Sequence, residues 1–147
     1  MQTYYIVSGG FDPIHEGYID IIRASAAASD GVIVLLNSDD WLVRKKGKFF
    51  MNFNSRKIVT ENIKGVIDVL DFNDADNSAC DGIARARIKY PDARLVFANG
   101  GDRTPDNVPE HTACKKYNIN MAFGVGGENK ANSSSWILNN WSDDKKS

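Results

Sequence analysis

The chain has 147 residues, a formal charge of −1, 42% apolar residues and 25% charged residues. That composition suits one globular domain, which at this length buries about two-thirds of its unfolded surface. No apolar stretch approaches the roughly 18 residues of a transmembrane helix, and the balanced charge offers no basic face for displacing counterions from nucleic acid. Neither a membrane nor a nucleic acid is an expected partner. Cys80 and Cys114 lack CxxC spacing and read as reduced structural thiols. The first residues enter a strand-like segment without a basic n-region, so the expected location is cytoplasmic.

Thr3–Val7 is a β-branched and aromatic run, predicted as a first strand, and it ends at Ser8-Gly9-Gly10. Beyond Pro13, Ile19, Ile22 and Ala26 recur at helical spacing up to Gly31. Val32–Leu36 is apolar throughout, as expected of a central parallel strand covered on both faces, and closes at Asn37-Ser38-Asp39-Asp40. A basic loop, Arg44-Lys45-Lys46-Gly47-Lys48, precedes a helix carrying Ile58, Val59, Asn62 and Ile63 and then a strand at Val66–Leu70. Asp74–Asn77 reads as a loop, and Ser78 with Asp81 as a capping box for a helix to about Lys89, barred from continuing by Pro91. Leu95–Ala98 is a fourth strand, followed by the glycine turn Asn99-Gly100-Gly101-Asp102-Arg103. A short helix near Glu110–Tyr117, a fifth strand at Ile119–Val125 and a helix from Ser133 to about Trp141, with Trp136, Ile137 and Trp141 on one face, complete the pattern.

Strands alternating with helices predict a Rossmann-like, doubly wound parallel five-stranded sheet with helices on both faces. One domain is expected over residues 1–141, with a polar tail at 142–147. Ligands of such sheets sit outside the carboxyl ends of the strands, where the glycine-rich and basic segments fall.

The first turn sets Gly9 and Gly10 beneath a helix start, where outward N–H groups and the helix dipole favour an anion. Taken singly, each such feature also has a plain reading. Gly9-Gly10 is equally a turn, His15 a capping residue, the lysine run a solvated loop, Arg103 a surface side chain and Ser133 a helix cap.

Gly10-Phe11-Asp12-Pro13-Ile14-His15-Glu16-Gly17-Tyr18 resembles the GxFDxxHxGH signature of the cytidylyltransferase-like nucleotidyltransferases, matching at every fixed position but the last. The similarity lies closest to the heptose-1-phosphate adenylyltransferase and glycerol-3-phosphate cytidylyltransferase branch. In that branch a lysine-bearing loop follows the second strand, a GGD segment follows the fourth, and a serine/threonine signature opens the last helix. Four motifs therefore occur here in family order. The resemblance implies His15, Tyr18, Lys46 and Arg103 as the catalytic set. It implies nucleotide and phosphate contacts from Ser8, Gly9, Gly10, Phe11, Gly17, Gly101, Asp102, Lys130, Ser133, Ser134 and Ser135, and acceptor contacts from Asp12, Lys45, Lys48 and Arg56.

The implied reaction moves a nucleoside monophosphate from ATP or CTP to a sugar or polyol phosphate and releases pyrophosphate. Mg²⁺ would arrive on the triphosphate without protein ligands, and a homodimer would be the working state. The Asn99–Asp102 turn and the lysine loop place ATP ahead of CTP. Tyr18 departs from the family, which has a second histidine there, and Asn99 stands where relatives tend to have lysine. A tyrosine donates one hydrogen bond but is neutral near pH 7. The alternative is accordingly a nucleotide-binding module without turnover. A redox enzyme on a dinucleotide fold is disfavoured by the missing GxGxxG and by the lack of a clear ribose-binding acid beyond Asp39 and Asp40.

Overall fold

A computed structural model describes residues 1–100, 108–126 and 137–141. Strand β1 (Thr3–Gly9), helix α1 (Glu16–Ala27) and strand β2 (Gly31–Leu36) open the chain. Helices α2 (Asp39–Lys46) and α3 (Phe53–Glu61) lead to β3 (Val66–Leu70). Then follow α4 (Cys80–Lys89), β4 (Arg94–Ala98), α5 (His111–Lys116) and β5 (Asn120–Ala122). All pairings are parallel and the strand order is β3-β2-β1-β4-β5. This is the expected Rossmann-like α/β sheet.

Alternation along the central strands divides the core into two layers. Ile6, Ile33, Leu35, Leu95 and Phe97 pack on one face with Ile83 and Ala86 of α4 and Cys114 of α5. Val7, Val32, Val34 and Leu36 pack on the other with Ile22 of α1. Every residue of β2 is buried, which explains its unbroken apolar sequence. Cys114 is buried and its thiol is pushed up to about 12 by that burial, then by Glu110 and Cys80. It is chemically quiet, and both cysteines are unbridged.

The order of the strands reverses between β1 and β4, and there the sheet opens. The β1–β2 ladder runs on to Gly9 and Leu36, whereas the β1–β4 ladder stops at Ile6 and Phe97. Val7–Gly9 and the residues after Phe97 therefore part, leaving the crevice that doubly wound sheets use for ligands.

Several local expectations are corrected. Arg44, Lys45 and Lys46 are not loop but the last turn of α2, stopped by Gly47 in the left-handed region (φ 87°). The helix forms because Ser38 accepts a hydrogen bond from Trp41 N while Asp39 and Asp40 favour its positive end and the three cations its negative end. The Ser78–Asp81 capping box is absent: Asp81 accepts from Asn73 N, Ser78 Oγ donates to Asp76, and α4 begins after Ala79 without a side-chain cap. The fifth strand is shorter than its apolar run, covering only Asn120–Ala122, because Gly124 and Gly126 turn the chain with φ of 67° and 81°. Helix α3 forms where expected, yet Ile58 and Val59 are exposed and its buried side holds Arg56 and Thr60. Residues 137–141 are helical, while Ser133 to Trp136 and the tail 142–147 lie outside the described residues.

Candidate active site

The turn after β1 is built from close contacts. A Cβ on Gly9 would lie 3.0 Å from Phe11 and 3.1 Å from Tyr18, and one on Gly10 would lie 3.0 Å from Leu42. Only glycine leaves room for both the aromatic rings and the roof provided by α2. Phe11 itself sits in the left-handed region (φ 54°), a conformation strained for a bulky side chain and held here by its burial. Ser8 is half-buried at the carboxyl end of β1.

His15 is the N-cap of α1: its extended backbone ends the turn, and its Nδ1 accepts a hydrogen bond from Gly17 N at 3.0 Å. The Nδ1 lone pair is thereby engaged, so the neutral ring carries its proton on Nε2 as a donor. Gly17 contributes through that backbone N–H. The Tyr18 ring lies against Phe11, with centroids 4.1 Å apart and a tilt of 38°, and against His15, 4.4 Å apart with a tilt of 34°. The plain reading of His15 as a helix cap is met through Nδ1.

Asp12 does not occupy the acceptor-binding place the resemblance implies. It is fully buried, and its two carboxylate oxygens accept from Phe50 N and Met51 N at 2.7 Å each. It pins the segment between α2 and α3 beneath the turn.

Arg56 is likewise corrected. Its guanidinium is buried and donates to Met51 O, Gly10 O, Asn37 O and Asp39, the last a 2.7 Å ion pair. These four bonds tie the first turn, the end of β2 and the start of α2 and α3 into one unit. A guanidinium is suited to this because its donors fan out in a plane.

Lys46 reaches the same unit from above, donating to the Asp12 carbonyl at 2.9 Å. Burial lowers its pKa from the ordinary lysine value; Asp12 opposes this, while Lys45 and Arg56 add to it. An ammonium has three donors and Asp12 takes one. Lys45 lies over the Trp41 ring at 4.7 Å, and Lys48 is exposed beyond Gly47. The structure thus brings Lys46 to the first turn but leaves Lys48 on the surface.

On the far side of the crevice, Asn99 is buried, its N–H donating to Ala122 O and its carbonyl accepting from Val125 N. The chain after β5 folds back so closely that a Cβ on Gly126 would meet the α1 backbone at Ile21, 3.0 Å away. Gly100 and Gly126 therefore both lie against Ile21 of α1. Gly101, Asp102, Arg103, Lys130, Ser133, Ser134 and Ser135 lie outside the described residues.

Asp74 is a residue that sequence reading passed over as loop. It is buried and accepts from Ser38 N, Ser38 Oγ and Asn37 Nδ2, with Arg44 3.7 Å away. Burial raises its pKa, but the bonds from Ser38 and Asn37 and the charge of Arg44 outweigh that and hold it below the ordinary carboxylate value. The signal for this corner was present: a serine followed by two aspartates is a helix-start pattern.

A parallel sheet opened at its switch point, with a glycine turn and a capping histidine at the opening, defines a nucleotide-binding α/β protein of the nucleotidyltransferase kind. The chain belongs to the cytidylyltransferase-like family, whose model matches residues 6–136. It is 28% identical over 65 residues to a glycerol-3-phosphate cytidylyltransferase of Bacillus subtilis (strain 168), covering 44% of this chain and 50% of that protein. It is 31% identical over 61 residues to the protein of the same name from Staphylococcus aureus (strain NCTC 8325 / PS 47), covering 42% and 46%. The similarity thus spans about half the length of these relatives. Among solved structures, the lipopolysaccharide core biosynthesis protein of Thermoplasma volcanium GSS1 shares the fold with a TM-score of 0.63 at 20% identity, over 90% of this chain and 100% of that one. Among the described residues, no helix is long and apolar enough to cross a membrane.

Proposed function

We propose that the protein transfers a nucleoside monophosphate from a nucleoside triphosphate to a phosphorylated polyol or sugar, releasing pyrophosphate. The observation that carries this reading is His15, which caps α1 by accepting from Gly17 N through Nδ1 at the end of the glycine turn that follows β1. In this reaction an acceptor phosphate oxygen attacks the α-phosphorus, and the bond from that phosphorus to the pyrophosphate oxygen breaks. The attacking oxygen is already anionic, so no general base and no covalent enzyme intermediate are needed. The protein's task is to position the two reactants and stabilise the charge that moves onto pyrophosphate.

His15 donates through Nε2 to a phosphate oxygen, and the N–H groups at the start of α1 favour the same anion. Lys46, held against Asp12, supplies a positive charge with donors to spare. Arg103, Lys130 and Ser133–Ser135 extend the phosphate contacts, as the family resemblance implies. Asp12 and Arg56 work one layer below by fixing the turn and the α2–α3 segment. Mg²⁺ bound to the triphosphate would neutralise part of its charge.

The names of the two sequence relatives support CTP and a polyol phosphate, whereas the Asn99–Asp102 turn resembles the heptose branch and supports ATP and a sugar phosphate. The transfer chemistry is common to both, and by family habit the working state is a homodimer. The test is pyrophosphate release with Mg²⁺, each of the four nucleoside triphosphates and a panel of polyol and sugar phosphates. The expected result is release that depends on both one nucleotide and one acceptor class. Calorimetric nucleotide binding with no release for any pair would replace this reading with the binding module that Tyr18 and Asn99 make its rival.

A further inference from the structure

Helix α2, which carries Lys46, has eight residues, and of these Leu42 alone is buried. A helix so short is marginal by itself, so its setting depends on what grips it. The contacts of Trp41 and Leu42 with Gly10 press it onto the first turn, but apolar contact is non-directional and leaves its roll about its own axis unset. The loop after β3 supplies what is missing by gripping both ends. At the amino end the Asp74 carboxylate accepts from Ser38 N at 2.8 Å and from the hydroxyl of Ser38, the N-cap, at 2.7 Å. In the last turn the Arg44 guanidinium donates to Asp74 O at 2.7 Å and to Asn77 Oδ1 at 3.2 Å. Arg44 and Lys46 are two positions apart, about 200° around a helix, so they project from opposite faces. One face is anchored to the loop while the other sends Lys46 to the Asp12 carbonyl. Side chains reach about 5–6 Å from a helix axis, so a roll of roughly 20° moves their tips by about 2 Å. That is enough to break the 2.9 Å contact of Lys46 with Asp12.

We propose that Arg44, held by the Asp74 carbonyl and Asn77, is a positioning residue that fixes the roll of α2 and through it the place of the Lys46 ammonium at the first turn. This deepens the nucleotidyltransferase reading and rests on it for its consequence in turnover. Charge alone does not fill the role. The guanidinium spans two acceptors at once, which a lysine at this position cannot reproduce with the same fixed fork.

Two measurements test the proposal, one of them without catalysis. In protein labelled with ¹³C at lysine Cε, with the Lys46 signal identified by its loss in Lys46→Arg, the titration of that signal reports the surroundings of the ammonium. Burial holds Lys46 below the ordinary lysine value in wild type. In Arg44→Met the midpoint is expected to rise toward that value as the ammonium leaves Asp12 for solvent. Asn77 has a left-handed backbone (φ 65°) that glycine adopts freely, so Asn77→Gly removes the acceptor while keeping the loop and the charge of Arg44. It is expected to shift the midpoint the same way by less. In the pyrophosphate assay, Arg44→Met is expected to lose about tenfold in kcat with a smaller change in nucleotide KM, and Arg44→Lys to recover only part of the loss. If Arg44→Met does not fold, Asn77→Gly and Arg44→Lys carry both measurements. An unmoved Lys46 titration in the variants would overturn the proposal, whatever happens to kcat. So would wild-type kcat in Arg44→Met. If wild type itself releases no pyrophosphate, the function above fails, while the lysine titration still decides whether Arg44 places Lys46.

Discussion

The turn from Gly9 to His15 and the segment from Arg44 to Arg56 meet at one edge of the sheet, yet they use their polar groups in opposite ways. In the first, His15 caps α1 through Nδ1, which makes Nε2 the donor nitrogen of the neutral ring. In the second, Arg56 commits its guanidinium to three backbone carbonyls and Asp39, and Lys46 commits one donor of three; Asp12, though part of the first turn, joins this group by accepting from Phe50 N and Met51 N. Charge in a sequence therefore says that a site can attract an anion, whereas burial decides whether a given charge faces a ligand or holds the frame. An ion with four internal hydrogen bonds is a brace, and removing it strands carbonyls that water no longer reaches.

The sharpest way to break this comparison is Arg56→Met. Leaving Gly10 O, Asn37 O and Met51 O without their donor is expected to cost about 3 kcal/mol or more in urea unfolding. Arg56→Lys should recover little, because one ammonium cannot span the same fan of acceptors. Wild-type stability in Arg56→Met would mean that the arginine is not a brace at all.

His15→Ala should show the opposite profile. Pyrophosphate release is expected to fall about a hundredfold, the usual effect of losing one oxyanion donor, while the lost cap costs only about 1 kcal/mol. A variant that unfolds but, where folded, turns over normally would move His15 into the structural class.

Asp12→Asn is subtler, since the shape is kept. One carboxylate oxygen becomes an NH₂ facing Phe50 N or Met51 N, two donors in opposition, for an expected loss of about 1–3 kcal/mol. Retained stability would show that the α2–α3 segment is pinned by other means.

The smallest effect concerns acid. Asp74 titrates in the folded protein below its ordinary value of 3.8, so the native state binds fewer protons than the unfolded chain as that range is approached. Its contribution to stability is therefore present above the unfolded value and is lost as pH falls through the folded one. Asp74→Asn should flatten the acid limb of a stability–pH curve, and an unchanged limb would remove Asp74 from that role.

The strand–helix alternation and the first glycine turn were legible because each depends on local spacing. Five strands appear in the expected places, with β1 reaching two residues further and β5 ending early. The cap of α2 was equally local and was missed by reading the lysine run as charge alone. Arg56 was harder, because its partner carbonyl at Gly10 lies 46 residues away in the chain. A basic residue opening a helix looks the same in sequence whether its guanidinium meets solvent, substrate or a strand end.

What the sequence determined by itself is the family and the succession of strands and helices along the chain, since a nine-residue signature and the periodicity of apolar side chains survive without knowledge of contacts. Tertiary structure alone decided what each polar group in that signature does. Asp12 and Arg56 were drawn inward by backbone donors and acceptors from elsewhere in the chain, and Tyr18 was set against the Phe11 and His15 rings. The reason is that a hydrogen bond or a ring contact is settled by distance and burial in space, and both are set by segments tens of residues apart.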